Sequence, residues 1–116
     1  QAAAALAAAL KANPATGRTL AVYAALADKD AAGVAAALQA RIDRWHLAGL
    51  DGPRGQSAAQ LRERLAGTAA SATLSATVEQ ALASVLEQAR RGDRVLVFGS
   101  FHTVAEALPL LQQAAR

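Results

Sequence analysis

The 116-residue chain has no cysteine, which excludes disulfides and thiolate metal sites and suits a reducing cytoplasm. It has no methionine either, so it opens at Gln1 without an initiator residue, and a piece of something longer is expected. Aromatic residues make up 3% of the chain, too few for a nucleobase-stacking surface; the core has to be built from Ala, Leu and Val. Charged residues reach only 18% against 53% hydrophobic, a balance that excludes a disordered tail. No G-x-x-x-x-G-K-[ST] loop is present to cradle phosphates, so the chain by itself is a poor candidate for nucleotide hydrolysis. Long apolar runs are also lacking. Apart from Gln1 the first ten residues are apolar, yet no basic segment precedes them and Lys11 ends the run, so neither a signal peptide nor a membrane span is expected.

The net charge of +3 comes from arginines scattered among acids rather than gathered in a stripe. That pattern reads as solvated helix faces, with no nucleic-acid and no membrane partner. At this length one domain, residues 1–116, is expected, with one modest core.

Residues 2 to 12 are alanine-rich and read as a helix, halted by Asn13-Pro14. Arg18 to Ala24 reads as a strand with Leu20, Val22 and Ala24 on one face. After the polar break Leu26-Ala27-Asp28-Lys29-Asp30 a helix is expected over Ala31 to Arg41, capped by Asp28 or Asp30. Ile42 to Leu50 alternates as an edge or partly exposed strand, with Ile42, Arg44 and His46 on one side. Asp51 to Gln56 is a loop by its glycines and proline, and Ser57 caps a helix over Ala58 to Leu65. A brief strand near Ala72 to Leu74 precedes a longer helix, Thr77 to Arg90, expected to turn Val78, Leu82, Val85, Leu86 and Ala89 inward, with Gly92 as its stop.

Asp93 to Glu106 is the stretch around which the rest is organised. Val95 to Phe98 is an unbroken apolar run suited to a strand covered on both faces. Gly99 frees the backbone to turn and lets a ligand approach, and Ser100 stands at the mouth of a last helix, His102 to Ala114. The alternation of helix and strand predicts an α/β fold: a mostly parallel sheet with helices on both faces. Three strands stand out clearly, which leaves one edge bare and points to a missing first strand and to self-association of the fragment through that edge.

Two loops follow strand ends and would open onto one rim in a parallel sheet: Ala27-Asp28-Lys29-Asp30 and Gly99-Ser100-Phe101-His102. A lysine and a helix-mouth serine there form a carboxylate clamp, ammonium charge beside directed hydrogen bonds. The plain alternative is a solvated Lys29 and a Ser100 that only caps. Arg54, in Gly-Pro-Arg-Gly, holds an anionic group or is a surface arginine. His46 and His102 have no acid or cysteine at metal-ligand spacing, so no metal site is expected, and no catalytic residue is assigned.

Leu20 to Val34 (L-A-V-Y-A-A-L-A-D-K-D-A-A-G-V), Leu50 to Ala58 (L-D-G-P-R-G-Q-S-A) and Asp93 to Glu106 (D-R-V-L-V-F-G-S-F-H-T-V-A-E) resemble, in order and spacing, the C-terminal domain of bacterial dihydrofolate synthase/folylpolyglutamate synthase, within the wider Mur ligase group. The resemblance implies a Rossmann-like three-layer sandwich with a mostly parallel sheet. It implies a cytoplasmic ligase of folate biosynthesis that adds glutamate to dihydropteroate or a reduced folate, with ATP and Mg²⁺ held mainly by a P-loop domain that this chain lacks. ATP turns the acceptor carboxylate into an acyl phosphate, and the glutamate amine attacks it. Lys29 and Ser100 match positions where the wider group grips the amino acid's carboxylate; Asp28, Asp30, Arg54 and His102 belong to the same motifs as rim contacts without a firm role.

The family's domain begins with a strand ending in D-x-A-H-N-P, and Gln1 falls just after it. The expectation is therefore a domain truncated at its N-terminus and inactive alone, whose partners are glutamate, the folate acceptor, ATP and the P-loop domain. A non-catalytic binding or assembly module that keeps the fold is the other reading, and the upstream coding sequence separates the two.

Overall fold

The computed structural model describes residues 2–65, 67–68, 71–99 and 104–107. Helix α1 (Ala2–Ala12) leads to strand β1 (Thr19–Ala24), helix α2 (Ala31–Leu38) with a 3₁₀ turn at Gln39–Arg41, and strand β2 (Arg44–Ala48). Helix α3 (Ala58–Arg64), strand β3 (Thr73–Ser75), helix α4 (Val78–Gln88), strand β4 (Arg94–Gly99) and strand β5 (Val104–Ala107) complete the order. The five strands form one sheet in the order β3-β2-β1-β4-β5. β1 is central and runs parallel to β2 on one side and to β4 on the other, while β5 runs antiparallel to β4.

The period-two alternation of β1 sorts its side chains into two cores. Ala21 and Tyr23 pack with Leu47, Leu96 and Phe98 under α1, α2 and α3, through Leu10, Ala35, Leu38 and Leu61. Leu20, Val22 and Ala24 face the other way with Ala48 and Val95, covered by Ala81 and Val85 of α4. The sandwich therefore has three layers, and all six residues of β1 are buried. Each fully buried Leu or Val contributes on the order of 2 kcal/mol, so this two-sided burial is what holds the sheet between its helices. Tyr23 stacks on Phe98 with ring centroids 4.6 Å apart, and Trp45 meets Phe98 edge-on at 6.2 Å. Burial pushes the Tyr23 phenol up to about 12.

Local capping accounts for the helix starts. Asp30 accepts from the Gly33 N–H at 3.1 Å, Ser57 and Gln60 form a reciprocal capping box, and Thr77 accepts from Gln80 N–H.

Three expectations are corrected. The Ile42 to Leu50 segment is not an edge: β2 is paired on both sides, by β1 and by β3, and only its first residue is exposed. Its alternation looks mixed because Arg44 lies at the open amino end of the strand, whereas His46 two residues on is buried. Leu86 is 42% exposed rather than turned inward; the inward stripe of α4 runs through Ala81 and Val85. The helix expected from His102 to Ala114 is interrupted by β5 at Val104–Ala107, which covers the outer edge of β4. The β-branched start of that segment pairs with the exposed backbone of β4, a tertiary gain that outweighs the helix propensity of its alanines. The rest of that expected helix lies outside the described residues.

His46 is 1% exposed on the face covered by α4, and its Nδ1 is buried with no hydrogen-bond partner among the described residues. Burial holds the imidazole below its usual range, and the Gln88 side chain only partly opposes this. A depressed folded value means the unfolded chain takes up the proton first as pH falls. Stability is full above roughly pH 6.5 and declines below it. We expect the urea midpoint to fall between pH 7.5 and 5.5, and His46→Asn to flatten that slope; an equal slope in the variant would assign it elsewhere.

Candidate functional site

β1 and β4 are in register over their whole length, with Ala24 opposite Gly99. Because they are parallel, their carboxyl ends, Ala24 and Gly99, lie side by side at one edge of the sheet. The first, residues 25 to 30, carries Lys29, whose side chain is exposed. The second begins with Ser100, which lies outside the described residues, as does His102.

The last position of β4 has to be glycine. Gly99 has φ +145°, and a Cβ there would collide with the Ala24 carbonyl oxygen of the neighbouring strand. The glycine expected to admit a ligand thus admits the backbone of β1.

A third segment, the loop Asp51 to Gln56 after β2, reaches the same edge. Its Arg54 guanidinium binds Asp28 at 2.6 Å, and its Arg54 carbonyl accepts from the Ala27 N–H at 2.8 Å. The hydrogen bond from Arg54 holds the Asp28 carboxyl below the usual carboxylate range. Between the two candidate caps of α2, Asp30 is therefore the cap and Asp28 the partner of Arg54. The pair is exposed on both sides and contributes little to stability; it fixes where the two loops meet. Lys29, Asp28, Asp30 and Arg54 thus belong to one rim.

Two further residues were not singled out from the sequence. Gln56, 7% exposed, donates from its side-chain amide to the Ala25 carbonyl at 2.9 Å. Arg64, at the end of α3, donates to the carbonyls of Leu26, at 3.5 Å, and Lys29. The available signal was position: Arg64 follows Leu61 by three, one turn along the buried stripe of α3. A depression of about 340 Å³ lies here, lined by Ala27, Gly55, Gln56, Gln60, Glu63 and Arg64. A larger one of about 490 Å³ sits at the opposite, amino-terminal edge of the strands, among Arg18, Asp43, Arg44 and His46, away from these loops.

The cations and hydrogen-bond donors of the rim suit a small carboxylate. Among the described residues no group of three or more His, Cys, Asp or Glu side chains could hold a metal ion. No described helix is long and apolar enough to cross a membrane.

A family model described as "Mur ligase, glutamate ligase domain" matches residues 1–101. The dihydrofolate synthase/folylpolyglutamate synthase of Escherichia coli (strain K12) is 45% identical over 102 residues, covering 88% of this chain and 23% of that protein. Its counterpart in Haemophilus influenzae is 46% identical over 92 residues, covering 78% of this chain and 21% of that protein. The chain spans less than a quarter of the length of these curated relatives. Escherichia coli FolC solved in complex with DHPP and ADP superposes with a TM-score of 0.77 at 44% identity, over 87% of this chain and 23% of that one. A bifunctional folylpolyglutamate synthase/dihydrofolate synthase with Mn, AMPPNP and L-glutamate bound gives a TM-score of 0.74 at 41% identity, over 89% of this chain and 24% of that one.

Proposed function

Since the chain belongs to the Mur ligase family as a glutamate ligase domain, we propose that it is the glutamate-binding C-terminal domain of an ATP-dependent ligase that adds L-glutamate to dihydropteroate, to tetrahydrofolate polyglutamates, or to both. The observation that carries this reading is the lysine-bearing loop at the carboxyl edge of the sheet, in a chain 41% identical to an enzyme solved with L-glutamate bound.

In the whole enzyme the acceptor carboxylate is activated by ATP as an acyl phosphate, and the amine of glutamate attacks the acyl carbon with release of phosphate. This chain's part is to hold the amino acid. The Lys29 ammonium neutralises a glutamate carboxylate, and the Ser100 hydroxyl directs it by a hydrogen bond, so that the amine stays free to react. Asp28 keeps Arg54 occupied, while Lys29 forms no ion pair among the described residues and its ammonium is open to a substrate carboxylate. The nucleotide fits poorly on this chain alone, which has no phosphate-cradling loop. The Mn in the related structure likewise finds no ligand cluster among the described residues, so no step is assigned to a metal held here.

The test is made in the full-length ligase that carries this domain. Lys29→Ala and Ser100→Ala should each raise the glutamate KM roughly tenfold or more, the loss of one charge-assisted hydrogen bond, with the ATP KM unchanged. An unaltered glutamate KM in both variants removes the assignment.

A further inference from the structure

Five consecutive residues, Ala25 to Lys29, are each held from one neighbouring stretch of chain, residues 54 to 64. The Ala25 carbonyl takes the buried Gln56 amide, and the Leu26 carbonyl takes Arg64 Nη1. The Ala27 N–H donates to the Arg54 carbonyl, the Asp28 carboxylate takes the Arg54 guanidinium, and the Lys29 carbonyl takes Arg64 Nη2. A surface loop with a solvated side chain at its tip loses conformational freedom at every residue when ordered. Here residues 54 to 64 supply that ordering together with the loop's own bond from the Lys29 N–H to the Leu26 carbonyl.

These contacts are not equivalent. The Arg54–Asp28 pair is 59% and 56% exposed, so water and salt weaken it. Gln56 anchors Ala25, next to the end of β1 and four residues before Lys29. Among the described residues Arg64 is the one side chain that bonds the main chain of Lys29, whose carbonyl also accepts from the Ala31 N–H at 2.9 Å, and Arg64 is half-buried. Its planar fork lets one cation reach two carbonyls three residues apart, which a lysine ammonium cannot do with the same geometry.

We propose that Arg64 is a positioning residue for Lys29, clasping the backbone of its loop so that the exposed ammonium is set where a substrate carboxylate meets it. The inference rests on the reading of Lys29 as the glutamate grip. Its effect is transmitted through the Leu26 and Lys29 carbonyls, to which its guanidinium donates.

The experiment measures steady-state kinetics and melting temperature in the full-length ligase for Arg64→Ala, Arg64→Lys, Lys29→Ala and the double variant Lys29→Ala/Arg64→Ala. Arg64→Ala should raise the glutamate KM roughly tenfold while kcat and the ATP KM change less than about twofold. Arg64→Lys, which keeps the charge and loses the fork, should fall between. The double variant should be no worse than Lys29→Ala alone, because both changes remove one function.

A lower melting temperature with an unchanged glutamate KM would show a purely structural role and overturn the inference, as would multiplicative effects in the double variant. Should Arg64→Ala not fold, Arg64→Lys decides: a raised KM supports the clasp and an unchanged one ends it. If Lys29→Ala leaves the glutamate KM unchanged, the reading of Lys29 fails and the clasp falls with it. If Lys29→Ala raises it and Arg64→Ala does not, only the clasp fails.

Discussion

Replacing Gly99 by alanine is expected to destabilise the domain by about 3 kcal/mol or more, and replacing it by valine to prevent folding. Two costs add at this position. The φ of +145° is a conformation L side chains rarely adopt, and the new Cβ would stand 2.9 Å from the Ala24 carbonyl carbon as well as against its oxygen. Ala24 cannot retreat, because it is paired to Gly99 in the ladder that joins β1 to β4 and is itself fully buried. Gly52→Ala provides the control: its φ is +98°, with none of the described residues within 4 Å of the added Cβ, so it should cost only the backbone strain, about 1 kcal/mol. Urea unfolding of the three proteins checks this, and equal midpoints for Gly99→Ala and Gly52→Ala would show that the close approach to β1 is unimportant.

Asp93→Ala should cost about 3 kcal/mol, the penalty for leaving donors and a cation without their buried carboxylate. The Asp93 side chain is 4% exposed. Its Oδ1 accepts from the Arg18 N–H at 2.8 Å, and its Oδ2 accepts from the Arg18 guanidinium at 2.9 Å and the Arg90 N–H at 2.9 Å. One side chain thus joins the residue before β1 to the turn before β4. Burial alone would raise its pKa, but the two backbone N–H groups and the Arg18 guanidinium outweigh it, and the carboxyl titrates below the usual range. With the folded value depressed, the stabilisation is complete above about pH 4, where the unfolded carboxylate is already ionised, and is lost as pH falls through the folded value. The stability gap between the native chain and Asp93→Asn should therefore be wide at pH 6 and close toward pH 3. A gap that stays constant would mean the charge on Asp93 contributes nothing.

The order of helices and strands was legible because it rests on local chemistry: Asn13-Pro14 stops α1, Ser57 starts α3 and the apolar run Val95 to Phe98 makes β4. The positions of strands within the sheet were not. Whether β2 lies inside or at the edge depends on β3: a brief strand near Ala72 to Leu74 was legible, but no local pattern says that it pairs with β2. β5 was missed for a similar reason, since its partner is the far side of β4 rather than anything in its own sequence. At the rim, the charged tip of the loop, Asp28-Lys29-Asp30, stood out from its neighbours, and so did Arg54 between its glycines. Gln56 and Arg64 did not, because each acts by hydrogen-bonding main-chain carbonyls of a segment about 30 or more residues away, and a carbonyl has no signature in the sequence.

The central place of β1 has a consequence for how the molecule is made. Its second neighbour, β4, begins some 70 residues later in the chain. On the ribosome β1 therefore waits with one ladder unsatisfied through the synthesis of three α-helices and two strands, a long-range closure that slows folding and leaves a sticky ribbon open to foreign chains until Arg94 to Gly99 emerge.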